Sequence, residues 1–167
     1  MSRSRLLQAG ILLWAALVLL AHLSYWLGAA FNLDSSWFQV VYSLGASGPH
    51  VGLSDFILTS LTTAALLTVL WLLRGAVRAL DTAQERPDAV ISAITRLALG
   101  LAVYAGLSVV GDVLLASLAN WRAGAVGIAL VLDMQSLTFL AISLVLFLVC
   151  RELRRGQAAL SENQQFL

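Results

Sequence analysis

Lysine is absent from this chain of 167 residues, and all ten of its basic residues are arginine. Nine acids nearly balance them, for a net charge of +1. That balance gives no argument for nucleic-acid binding, and no nucleic-acid partner is expected. Cysteine occurs once, at Cys150, so neither an intrachain disulfide nor a multi-cysteine zinc cluster can form. The only two prolines, Pro49 and Pro87, leave room for long uninterrupted helices. Charge of either sign is scarce, at 11% of residues, while 60% are hydrophobic and the mean hydropathy is +0.88. A soluble domain of this size would aggregate at that composition, so membrane helices are expected. Enzyme signatures are missing as well. There is no HExxH, no GxSxG, no phosphate-cradling glycine loop and no pair of acids at catalytic spacing. His22 lies in an apolar run and His50 in a Gly/Pro-rich segment, a poor arrangement for two haem ligands. The expectation is a protein with no catalytic residue, no metal site and no cofactor.

What is present is four apolar runs, at about 6–29, 53–73, 97–119 and 128–150. Each is long enough to cross a bilayer core, which takes about 20 helical residues. None alternates in polarity as the strands of a membrane barrel do. The first run follows Arg3 and Arg5, as a secretory signal would, but it exceeds the 7–15 apolar residues of a signal core and reads as a retained helix. The expected fold class is all-α: a single transmembrane domain over 1–167, an integral membrane four-helix bundle with a tail over 151–167.

Arginine placement sets the expected orientation. Arg3 and Arg5 precede the first run. Arg74, Arg78, Arg86 and Arg96 lie between the second and third, and Arg151, Arg154 and Arg155 follow the fourth. Only Arg122 falls in the two remaining loops. Both termini and the middle loop are therefore expected inside, in the cytoplasm, and the other two loops outside. Trp26, Trp37 and Trp121 would mark the outer interface and Trp71 the inner one, with Trp14 nearer mid-membrane.

The first outer loop contains DSSWFQVVYSLGASGPH. Ser36 followed by Gln39 has capping-box spacing, and Trp37, Phe38, Val41, Tyr42 and Leu44 fall near one face. A short interfacial helix on the outer leaflet is expected, ended by Gly45, Gly48 and Pro49. It reads as a loop burying its aromatics among headgroups, or as a lid or docking element. In the middle loop the second helix should continue to about Ala83, with Pro87 and Asp88 opening the third. The two would make a cytoplasmic hairpin with a charged tip. In the tail, Arg151, Arg154 and Arg155 would anchor to anionic headgroups, and Trp37 would anchor the outer face. Glu152 and Arg155 are spaced to pair, and Cys150 reads as a small buried hydrophobe.

Asp112, inside VVGDVLLASL, is the conspicuous charge of the third run. A carboxylate there costs about 2.5–3.5 kcal/mol on insertion scales, so it should face protein or water and find a partner. His22 sits at nearly the same depth in the first run, and the two would meet if those helices were neighbours. Ala105, Ser108, Ala116 and Ala119 share the side of Asp112 and permit close helix approach. With Asp55, Arg122, Asp133 and Gln135 these residues could line a polar pocket open to the outer side. That pocket would be an ion, proton or small-ligand site built on Asp112 and His22. The competing reading is a network that pins the helices in register.

From MQSLTFLAISLVLFLVCRELRRGQAALSENQQFL, the chain resembles a family of small, uncharacterised bacterial inner-membrane proteins with four helices. The resemblance runs over helices two to four and the tail, and its ELRRGQAALSENQQFL ending carries most of it. The aromatic-Ser segment of that family before helix three is missing here. The resemblance implies a multi-pass protein of the bacterial inner membrane. The pairing of some relatives with small helix-turn-helix regulators implies a signalling or immunity role. The function expected from all of this is a non-enzymatic regulatory or accessory subunit. Its partners would be the lipid bilayer and another membrane subunit, a cytoplasmic regulator or a second copy. The alternative is a ligand, ion or proton binding or transport protein using the outer pocket.

Overall fold

A computed structural model describes residues 3–31, 53–81, 86–124, 127–128 and 133–164. Those residues form four helices: α1 (Arg3–Ala30), α2 (Leu53–Asp81), α3 (Pro87–Arg122) and α4 (Met134–Gln164). The first three contain the first three apolar runs, α4 takes up the fourth run from Met134 onward, and all four are long and apolar enough to cross a membrane. At about 1.5 Å per residue, α3 reaches roughly 54 Å, well beyond a 30 Å hydrocarbon core. The excess lies at its N-terminal end, where Pro87–Arg96 precede the apolar run.

Local chemistry sets the ends. Pro87 occupies the first turn of α3, where its missing N–H costs nothing, and Asp88 lies in that same turn. At the other end Ala123 N–H donates to Ala119 O, and Gly124 turns away at φ +77°, a conformation glycine adopts without strain. The fourth helix begins at Met134 and not near 128, because Asp133 caps it. Asp133 Oδ2 accepts the Ser136 N–H at 3.1 Å, and the Asp133 carbonyl accepts from Leu137 N–H. Apolarity continues upstream of Asp133, but the cap decides where the helical hydrogen bonds start.

Helices pack in chain order. α1 lies on α2, α2 on α3 and α3 on α4, and among the described residues α1 reaches neither α3 nor α4. Neighbours are antiparallel: Gln8 meets Arg78, Asp55 meets Arg122, and Thr95 meets Arg154. α3, flanked on two sides, carries the longest buried face, including Leu97, Ala98, Leu101, Tyr104 and Ala105. Val69 and Ala76 of α2 join Leu97, Leu101 and Tyr104 in the core, with Phe139 of α4 edge-on to Tyr104 at 5.5 Å. Gly100 marks close approach of α2: a Cβ there would fall 2.6 Å from Leu72 Cδ1. Much apolar surface stays open, with Leu13, Leu20 and Leu144 each more than 60% exposed. Such faces suit lipid and not water.

The α3–α4 seam is a ladder with a seven-residue step. Ile91, Ala98 and Ala105 on α3 face Cys150, Ser143 and Ser136 on α4, and all six are buried. Ser143 Oγ donates to Ala98 O at 2.7 Å, and Cys150 Sγ lies 3.8 Å from Ile91 O. A strict step of seven keeps two helices in register at a shallow crossing angle, and small side chains let the backbones approach. Helix hydroxyls do not stay free: Thr68, Thr95 and Thr138 each donate to the carbonyl four residues earlier. That back-bonding satisfies the hydroxyl within its own helix.

The interfacial helix expected around Ser36, Trp37 and Gln39 lies outside the described residues, as does the tip of the α2–α3 hairpin.

Candidate functional site

The six polar residues of the expected outer pocket separate into three places. His22 belongs to the α1–α2 contact. Its Nε2 is 3.1 Å from Ser60 Oγ and its Nδ1 3.1 Å from Thr63 Oγ1, so both ring nitrogens are engaged. A hydroxyl can donate or accept, so either neutral tautomer satisfies both contacts. His22 and Thr63 are buried. Phe56 lies face-on to the imidazole at 6.4 Å, and Trp26 meets Phe56 edge-on at 4.9 Å. The Trp26 Nε1–H is buried beside this group without an acceptor among the described residues. His22 and Asp112 do not form a pair: α1 does not pack on α3, and the histidine spends its nitrogens on α2.

Asp55 and Arg122 form the second place, between the first turn of α2 and the last turn of α3. Arg122 Nη1 is 3.4 Å from Asp55 Oδ2, and Nη2 donates to Ser54 Oγ at 3.0 Å. The Arg122 side chain is 44% exposed and that of Asp55 19%, so this clasp is solvent-screened.

The third place holds Asp112 and Asp133. Asp112 continues the α3 ladder one step of seven beyond Ala105 and is half-buried. Among the described residues it makes no hydrogen bond, and it lies within charge reach of Asp133. Asp133 is occupied as the cap of α4. Gln135 is exposed on the first turn of α4 and joins neither acid. No three metal-ligating side chains converge among the described residues.

At the opposite end, the tail arginines occupy the surface of α4. Arg155 Nη1 pairs with Glu152 Oε1 at 2.9 Å, the spacing expected from sequence. Arg154 Nη2 donates to Thr95 Oγ1 of α3 at 3.3 Å. Arg151 has no hydrogen-bonding partner among the described residues. On α2 the Arg74 guanidinium sits over the Trp71 ring at 5.3 Å. Trp37 lies outside the described residues.

Reasoning from sequence missed Ser60 and Thr63, which hold His22, and the Ser136–Ser143–Cys150 series. Both leave a signal. Ser60 and Thr63 are three apart on one helix face, and the fourth run repeats a small polarisable residue every seven positions.

The α3–α4 seam, the His22 contact and the arginine-rich end are the features to compare with other proteins. No family model matches the chain, and neither the curated proteins nor the solved structures hold a match to it.

Proposed function

We propose that this chain is a multi-pass protein of the bacterial inner membrane, acting as a non-enzymatic regulatory or accessory subunit. Both termini and the α2–α3 hairpin lie in the cytoplasm in this reading. The observation that carries it is how the inter-helix polar groups are used. His22, Ser60, Thr63, Asp55, Arg122 and Ser143 are spent on contacts between helices, as expected of a scaffold. Charge gathers instead at one end of the molecule. That end carries Arg74 and Arg78 in the last turns of α2, Arg86 and Arg96 at the start of α3, and Arg151, Arg154 and Arg155 in the second half of α4, against Arg122 alone at the other end. Arginine-rich ends stay in the cytoplasm. They also supply the groups through which a partner subunit or regulator would dock.

One observation favours a second reading, a ligand, ion or proton binding protein. Asp112 is half-buried, lacks a hydrogen bond among the described residues and faces a second carboxylate at Asp133. An intramembrane acid of that kind is a functional-site candidate.

Native mass spectrometry of discs cut directly from the source membrane, on wild type and Asp112→Asn, separates the two. A protein companion at fixed stoichiometry in both forms is the expected result. A small species bound to wild type and lost from Asp112→Asn overturns the accessory reading in favour of the second. A chain with neither companion overturns both.

A further inference from the structure

The last apolar turn of α4 runs straight into charge, as FLVCRELRR. Phe147, Arg151, Arg154 and Arg155 are spaced i, i+4, i+7 and i+8, so they form one stripe. The seam beside that stripe is closed by Cys150 against Ile91. One turn further along α3 is Thr95. Together Thr95, Phe147, Cys150, Arg151, Arg154 and Arg155 line a recess of about 360 Å³ between the inner ends of α3 and α4.

Its chemistry is one-sided. Three guanidiniums border the recess, and among the described residues Glu152 is the one carboxylate paired with any of them. Arg154 is held by the neighbouring helix, and all three guanidiniums keep most of their five N–H donors. Arg154 is tied to the Thr95 hydroxyl, which itself donates to Ile91 O at 2.7 Å, and Arg155 is tied to Glu152. Arg151 has no hydrogen bond among the described residues. Partly unused guanidinium forks suit a tetrahedral oxyanion, above all a phosphate. Phe147 forms the apolar wall, and Leu144 and Leu148, both more than half exposed, carry an apolar track along α4 away from the arginines. A free phosphate would leave that track uncovered. A phospholipid would cover it with an acyl chain.

We propose that the inner ends of α3 and α4 form a binding site for an anionic phospholipid. Its phosphate is held by Arg151, Arg154 and Arg155, and its chain lies along Phe147, Leu144 and Leu148. The proposal rests on the membrane reading above, and it goes beyond general surface attraction by assigning one recess and one headgroup group.

The test uses the full chain, delipidated and reconstituted in phosphatidylcholine nanodiscs. Phosphatidylglycerol is titrated in, and retained lipid is counted by native mass spectrometry. Arg151→Gln/Arg154→Gln is expected to weaken phosphatidylglycerol retention about thirtyfold. Arg5→Gln/Arg86→Gln removes the same charge from the same end, away from the recess, and is expected to weaken it less than about threefold. Thr95→Val changes no charge but frees Arg154, and is expected to weaken retention a few-fold. Equal losses in the two double variants overturn the proposal in favour of diffuse attraction. Inorganic phosphate displacing the lipid at millimolar concentration overturns the lipid as occupant. Failure of the membrane reading is read separately: wild type stripped from vesicles by alkaline carbonate overturns that reading, whatever the lipid counts.

Discussion

Ser143 of α4 donates its hydroxyl to the carbonyl of Ala98 on α3 at 2.7 Å, with both residues buried. This contact sits midway along the seven-step ladder between Ile91–Cys150 and Ala105–Ser136. It ties a side chain to a backbone acceptor that already serves its own helix. Interhelical bonds of this kind in membrane proteins average about 0.6 kcal/mol. Ser143→Ala should therefore cost little, about 0.5–1 kcal/mol. Ser143→Leu should cost more, about 1–3 kcal/mol, because there is no space opposite Ala98 for the added atoms. Unfolding in mixed micelles by increasing SDS measures both. Equal costs for the two would mean that packing at this rung is loose.

His22 couples α1 to the rest of the molecule through Ser60 and Thr63. A double-mutant cycle of His22→Phe and Thr63→Val should show a coupling of about 0.5–1.5 kcal/mol. Since, among the described residues, α1 packs on α2 alone, loss of this contact should loosen α1 first. Hydrogen exchange read helix by helix would show faster exchange in α1 and little change in α3 and α4. A uniform change along the chain would contradict the sequential packing.

Asp133 caps α4 through the Ser136 amide. Asp133→Ala should destabilise the first turn of α4 by about 1 kcal/mol, and Asp133→Asn should keep most of the cap. Amide exchange of Leu137 and its neighbours reports this directly. Identical exchange in both variants would mean that the charge, and not the cap, supports the turn.

The Arg122–Asp55 clasp is exposed on the arginine side. Arg122→Gln should change stability by no more than about 1 kcal/mol, and that difference should shrink as salt rises. A large, salt-independent loss on thermal unfolding would show that this pair is shielded from solvent.

Cys150 is buried against Ile91. In the reconstituted protein it should resist a membrane-impermeant maleimide from either side and react only after denaturation in SDS. Rapid labelling in the folded protein would place the α3–α4 seam open at Cys150.

The four long apolar helices were legible in composition because crossing length depends only on how many apolar residues follow one another. Pro87 and Asp88 announced the start of α3 in the same local way. The start of α4 was not legible from apolarity: the run continues upstream of Asp133, and the aspartate's acceptance of the Ser136 amide sets the boundary. The Glu152–Arg155 pair was readable because its spacing lies within a single helix turn.

Which polar groups meet was another matter. Asp112 and His22 share a depth along the helix axis, and depth follows from counting residues. Whether two helices are neighbours does not. It depends on how small residues such as Ala98, Ala105, Ser136 and Ser143 let backbones approach, summed over several turns. In the assembled structure α1 lies against α2, His22 meets Ser60 and Thr63, and Asp112 comes within charge reach of Asp133. Length, apolarity and the asymmetry of arginine are properties of the chain read in order. Partnership is a property of helix faces brought within a few ångströms, and it arises only when the faces are assembled.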